Sequence, residues 1–248
     1  MRLLEVEPAK SRATRLSASK ERKKQLVWIW TLGIALHLVL MPFTVNIDAY
    51  RIYSRANEAL STGDWFGWGS QFVIQLVHNL WFAVVRPLLP ASADIWSTHA
   101  STMGVGAQPE EYARFLDYPY LARALFLMKL PYLAADVAVG WLLTRLVGVA
   151  RRPRVLALWL LNPIVIFVSV VFSRHDSISV ALVMLSLFAA VRGRRIAGLL
   201  LLGIGAAARF FPVFLAPFYL LAFSRSRRQA LVFTGGLAGL WLVVEIVV

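Results

Sequence analysis

The 248-residue sequence contains no cysteine, which excludes thiolate metal sites, thiol nucleophiles and a disulfide framework. Charge is scarce as well: 16% of residues are charged, against about 25% in an ordinary soluble domain. Acids are the scarcer sign, with 13 Asp and Glu against 26 Lys and Arg, for a net charge of +13. No P-loop, G-x-G-x-x-G or Ser-His-Asp motif occurs, and no internal repeat is evident. What the chain has in excess is apolar surface. At 59% hydrophobic residues it exceeds what one soluble core could hide, and it reads as an integral membrane protein. Long apolar runs rich in Trp and Phe separate the basic clusters, which favours positive-inside topology over nucleic-acid binding, so no nucleic-acid partner is expected.

The charges fall in blocks. Residues 1–24 carry eight basic residues against three acids, and three short clusters follow at Arg151, Arg152 and Arg154, at Arg192, Arg194 and Arg195, and at Arg225, Arg227 and Arg228. Residues 44–120 reverse the balance, with four basic residues against seven acids. Lys and Arg accumulate on the cytoplasmic side of short loops, so the four clusters are expected inside and 44–120 outside. Glu5, Glu7 and Glu21 argue against a transit peptide. Residues 1–24 form a basic cytoplasmic tail, whose Arg22-Lys23-Lys24 end is expected to touch anionic lipid headgroups, and 25–248 form one transmembrane domain. Gln25–Phe43 is the first span and Leu121–Gly148 returns to the cytoplasm. Gln71–Leu89 is then expected to lie in the outer interface as an amphipathic helix. Residues 155–191 supply two helices joined by an outer turn at Ser173–Asp176. Ile196–Phe223 has both ends cytoplasmic, which predicts a re-entrant hairpin with Arg209-Phe210-Phe211-Pro212 at its tip, and Ala230–Val248 is a last span. The fold class is an all-α polytopic transmembrane helical bundle with a re-entrant hairpin and an outer interfacial helix. The expected location is a plasma membrane, multi-pass, with the N-terminus cytoplasmic.

Charged side chains at membrane depth cost about 2.5–3.5 kcal/mol each on insertion scales, so each needs a reason. Asp48, just past the first span, fits either an N-cap or a functional carboxylate. Ser173-Arg174-His175-Asp176-Ser177 puts more ionisable groups into one turn than the turn requires, although Asp176 also suits a cap. Arg209 at a hairpin tip suits an anion such as a phosphate. Lys129 and Asp136 share a helix face about 10.5 Å apart and either line a cavity or tie helices together. His37 and His99 have no helical-spacing partner for a metal, His78 reads as interfacial, and the Trp residues at 28, 65, 68, 81 and 96 mostly read as interface anchors.

The run Trp159-Leu160-Leu161-Asn162-Pro163-Ile164, followed by Phe172-Ser173-Arg174-His175-Asp176-Ser177-Ile178, resembles the GT-C class of multi-spanning glycosyltransferases that use polyprenyl-phosphate-linked sugars. It especially resembles bacterial mannosyltransferase-like members and the enzyme adding the first mannose to GPI anchors. In that group an Asn-Pro helix leads to a turn often reading Gly-Gln-x-Asp. Lys129-Leu130-Pro131 with Asp136 resembles the group's Lys-x-Pro…Asp helix, and Arg209-Phe210-Phe211-Pro212 its Lys-x-Tyr-Pro hairpin. Asp48 with Tyr50 and Tyr53 resembles the acidic motif of the first outer loop. The set spans roughly residues 44–223. Two departures stand out: Ser-Arg-His replaces Gly-Gln-aromatic in the turn, and Asn46 takes the first place of an Asp-x-Asp motif, which leaves a divalent metal only weak support. Some six membrane elements, where the group usually has more, suggest a truncated or reduced member.

The resemblance implies a GT-C-like bundle that moves a sugar, here mannose, from a polyprenyl-phosphate carrier to an acceptor hydroxyl on the extracytoplasmic face. Asp48, or failing it Asp176, would be the catalytic base, and Arg209, Arg174, His175, Tyr50 and Lys129 would bind substrate. The partners would be the lipid-linked donor, membrane lipids and an acceptor the sequence does not identify; no cofactor is implied. The competing reading is a polyprenyl-phosphate-sugar transporter or flippase, or a subunit of one, which would use the same cations without needing a base.

Overall fold

A computed structural model describes residues 9–65, 71–96 and 109–224, together with 226, 228–232, 234–236 and 239. His99, Trp68 and much of the expected final span lie outside them. No strand occurs among the described residues, and the architecture fits a polytopic helical bundle. Among the described residues up to Phe223, ten α-helices run in order: α1 (Ala9–Leu40), α2 (Ile47–Thr62), α3 (Phe72–Val85), α4 (Pro109–Leu116), α5 (Leu121–Leu146), α6 (Arg152–Leu160), α7 (Pro163–Ile166), α8 (Asp176–Val191), α9 (Arg195–Ala208) and α10 (Ala216–Phe223). By length and composition Ser17–Phe43 and Leu121–Leu146 can each cross a membrane. The pair Val149–Leu160 and Pro163–Val171, bent by 41° at Asn162-Pro163, makes a third if counted as one span. The proline has no N–H for the i−4 carbonyl, and Asn162 caps the new start by accepting from Ile164 N at 2.9 Å.

Apolar burial supplies little drive between helices already surrounded by lipid, so close approach and polar ties carry the packing. Gly33 of α1 sits where a Cβ would come within 2.8 Å of Leu160 Cβ, which lets α1 and α6 touch backbone to side chain. α8 and α9 form the most extensive interface. Two α8 hydroxyls cross it: Ser179 Oγ donates to Gly205 O at 3.0 Å and Ser186 Oγ to Gly198 O at 2.6 Å. α10 folds back along α9, with Tyr219 OH donating to Arg195 O at 3.0 Å, so residues 195–223 form a helical hairpin that turns at Arg209-Phe210.

α5 continues through Pro131, which frees the carbonyl of Leu127 four residues earlier. Trp81 Nε1 of α3 donates to that oxygen at 2.8 Å. The indole thus ties α3 to α5, and Trp96, 3% exposed, belongs to the core. α3 buries one face in the protein. Its Ile74, Gln75, His78, Asn79, Phe82 and Val85 are all buried, and His78 hydrogen-bonds Ile74 O and the Tyr132 hydroxyl at 2.6 and 2.8 Å.

His37 does have a partner, on another helix. Its Nδ1 hydrogen-bonds Gly33 O at 2.7 Å, and its Nε2 lies 3.6 Å from Asp136 Oδ2, both side chains fully buried. Asp136 therefore joins α1 to α5. α1 itself runs unbroken past residue 24, so the basic tail, from Ala9 on, is the first part of the same helix.

Candidate functional site

The α1–α2 connection sets the position of Asp48. Asn46, extended at φ −143°, is the N-cap of α2 and accepts from Asp48 N at 2.8 Å. Asn46 thus takes the capping role that Asp48 could have filled, and the Asp48 carboxylate is available elsewhere. On α2 it shares a face with Arg51, Ile52 and Arg55, at helical spacings of three, four and seven.

The Ser173–Asp176 turn arrives from the opposite side. The helix preceding it widens into a π-helical turn at Phe167–Val171, and Ser173 adopts a left-handed φ of 55°. This is a position where glycine is usual, because a Cβ there is strained. The reversal, closed by Arg174 N donating to Val168 O at 2.9 Å, directs Arg174 and His175 towards α2 and α3.

The result is a chain of paired charges. Arg174 Nη1 donates to Asp48 Oδ2 at 2.8 Å, and Arg174 Nε lies 3.4 Å from Asp176 Oδ2. Arg209 Nε donates to Asp176 Oδ1 at 2.5 Å, and Arg209 Nη1 to Gln71 Oε1 at 3.2 Å. His175 Nε2 meets the same Gln71 oxygen at 3.2 Å. Asp48 and Arg174 are 126 positions apart in sequence. Asp48, Gln71, Arg174, His175 and Arg209 line a polar cavity of about 270 Å³, with Arg51 and Arg55 on its α2 wall and Asp176 behind the two arginines it pairs with. Four guanidiniums line it, and Asp48 and Asp176 pair with two of them. Burial opposes the charge of Arg174, but the two carboxylates outweigh it and raise its pKa.

The depth of the cavity follows from helix register. Trp141 of α5 packs on Phe188 of α8 with ring centroids 5.8 Å apart. About twelve residues back along each helix, Asp176 falls level with Lys129, roughly 12 Å by helical rise from the α5 N-terminus. The His78 contact to Tyr132 and the 5.9 Å separation of the His78 and His175 rings agree with that level.

Asp48, Arg174, His175, Asp176 and Arg209 come together; Tyr50 and Lys129 do not join them. Tyr50 is fully buried, packed against Trp96, Tyr112 and Phe115. Two residues beyond Asp48 on a helix, it faces the other way. Lys129 is 1% exposed and donates to Met41 O at 3.0 Å, to Thr44 Oγ1 at 2.7 Å and to Thr44 O, so its ammonium holds the turn between α1 and α2. His175 is not a cation for a phosphate either. Burial, then His78 and the Arg209, Arg174 and Arg55 guanidiniums, push its pKa far below the ordinary histidine value, so the ring is neutral. Gln71, Arg51 and Arg55 complete the site. The two arginines could have been found from their spacing to Asp48; Gln71, uncharged and next to a loop, carries no such signal. Among the described residues no group of three His, Cys, Asp or Glu side chains could hold a metal.

Residues 109–225 match the sequence model of the MptA_B family, described as alpha-(1->6)-mannopyranosyltransferase, N-terminal domain. This match supports a mannosyltransferase-like membrane enzyme. The matched segment carries the Ser173–Asp176 turn and the hairpin, with Arg174, His175, Asp176 and Arg209, while Asp48 and Gln71 precede it. No significant match occurs among curated proteins or solved structures.

Proposed function

We propose that the protein is a multi-pass membrane mannosyltransferase of GT-C type that takes mannose from a polyprenyl-phosphate carrier and passes it to an acceptor hydroxyl on the extracytoplasmic side. The observation that carries this reading is the Asp48–Arg174–Asp176–Arg209 chain around one cavity, set beside a mannosyltransferase family match over the segment that supplies three of its members. Guanidinium groups suit a phosphate because they donate in pairs and keep their charge. Arg209 and Arg174 hold the carrier phosphate. As the acceptor oxygen bonds the anomeric carbon, the bond from that carbon to the phosphate oxygen breaks and its electron pair stays on the phosphate. The same arginines stabilise the charge that develops there. Asp48 takes the acceptor's proton, and Asp176 positions both arginines. Phosphate bound to Arg174 competes with Asp48 for the guanidinium, so a bound donor also loosens the contact that would otherwise hold the base.

The test is donor binding. Arg209→Ala should lose affinity for a polyprenyl-phosphate sugar while still inserting, and Arg209→Lys should keep part of it, since Lys retains the charge without the fork. Unchanged affinity in Arg209→Ala would remove the phosphate from this cavity.

A further inference from the structure

Gln71 begins α3 in the left-handed region, at φ 68° and ψ 30°, yet its side chain caps no backbone group there. Strain of this kind persists where surrounding structure imposes it, and at sites of function more than elsewhere. What the conformation achieves is the placement of one oxygen. Gln71 Oε1 lies 3.2 Å from Arg209 Nη1 and 3.2 Å from His175 Nε2. A guanidinium can only donate, so the amide must present its oxygen to Arg209 rather than its nitrogen. An amide oxygen cannot donate, so His175 Nε2 must carry a proton. The ring is buried among Arg55, Arg174 and Arg209 and stays neutral, which leaves Nδ1 unprotonated. Among the described residues none hydrogen-bonds Nδ1. The cavity is otherwise rich in donors, with the guanidiniums of Arg51, Arg55, Arg174 and Arg209 on its walls. A sugar hydroxyl meets both demands, since its oxygen accepts from arginines and its O–H donates to a lone pair.

We propose that Gln71 fixes His175 as a hydrogen-bond acceptor for a hydroxyl of the transferred sugar, so that the phosphate-holding Arg209 and the sugar-reading His175 are set by one amide oxygen. The inference rests on the polyprenyl-phosphate-sugar reading above. Gln71 is a positioning residue; His175 is the group that touches the sugar. Arg209 has a second anchor in Asp176, so losing Gln71 should leave phosphate binding in place and weaken only the recognition of the sugar.

The experiment compares two lipids on the full chain: polyprenyl phosphate, which carries no sugar, and polyprenyl-phosphate mannose. Wild type should prefer the mannosylated lipid. Gln71→Leu and His175→Phe should reduce its affinity roughly 5- to 100-fold, as expected for one lost or unpaired buried acceptor, with the affinity for the bare lipid nearly unchanged. Gln71→Asn, which tolerates the left-handed backbone but is one carbon too short, should behave like Gln71→Leu and guard against misfolding. His175→Asn, whose Oδ1 stands near the place of Nδ1, should restore part of the preference. Nitrogen-15 NMR of a histidine-labelled protein should show His175 with Nε2 protonated and Nδ1 bare at pH 7. A full sugar preference in Gln71→Leu and Gln71→Asn, an equal loss for both lipids, or a protonated Nδ1 would each overturn the assignment. Wild type that binds neither lipid would overturn the underlying reading and the assignment with it. Wild type that binds both equally would overturn the sugar contact alone.

Discussion

Replacing Lys129 with Met separates a structural lysine from a substrate-binding one. The ammonium is 1% exposed and donates to the carbonyls of Met41 and Thr44 and to the Thr44 hydroxyl. Methionine keeps much of the volume and removes every donor. Two carbonyls in the turn between α1 and α2 then lose their partner, at about 1–3 kcal/mol each, while the cost of burying an ammonium disappears. The net loss is on the order of 2–4 kcal/mol, or ~5–15 °C in melting temperature for a chain of this size. The assay is thermal unfolding in detergent alongside affinity for the lipid-linked donor. Lower stability with donor affinity intact at low temperature is the expected result. Unchanged stability with lost donor affinity would refute the argument and return Lys129 to the binding site.

Ser173, at φ 55°, should accept glycine without loss of fold or donor binding, whereas Ser173→Val should cost about 1–2 kcal/mol, read by the same unfolding assay. Gly198→Ala should disrupt the hairpin, because a Cβ there would stand 2.2 Å from Tyr219 OH and 2.8 Å from Ser186 O; a loss of about 1–3 kcal/mol is expected. Because the folded pKa of His175 lies well below its ordinary 6.5, folding excludes a proton the unfolded chain would bind. Its contribution to stability is therefore complete above about pH 6.5 and declines as pH falls below that value, so acid unfolding should shift to lower pH in His175→Asn.

The charged part of the site was legible because charges in apolar surroundings need a reason: Asp48, Arg174, Asp176 and Arg209 stand out against a chain that is 16% charged. Their partners were not legible, since the ion pairs join positions 126 and 33 residues apart. The resemblance implies Tyr50 as a substrate ligand alongside Asp48. Once 47–62 is helical, two residues of separation put the pair on different faces, and the residues that do share the Asp48 face are Arg51 and Arg55. Lys129 and Asp136 do share a face of α5, but each finds its partner on the α1 side, one at the Met41–Thr44 turn and the other at His37. That Trp81 answers the carbonyl freed by Pro131 is not legible in the sequence, because the donor lies 46 residues from that carbonyl.

The most direct test of the account is sugar transfer from polyprenyl-phosphate mannose by wild type and by Asp48→Asn, compared at equal donor occupancy. Asn46 remains as the cap of α2, so the substitution should leave the helix intact. Asparagine cannot take up the acceptor's proton, and loss of a general base costs about 10²–10⁴-fold in rate. The account predicts transfer by wild type and a loss of that size in Asp48→Asn with donor still bound. Near wild-type transfer by Asp48→Asn would contradict the assignment of the base, and wild type that binds the donor without transferring mannose would contradict the enzyme reading itself.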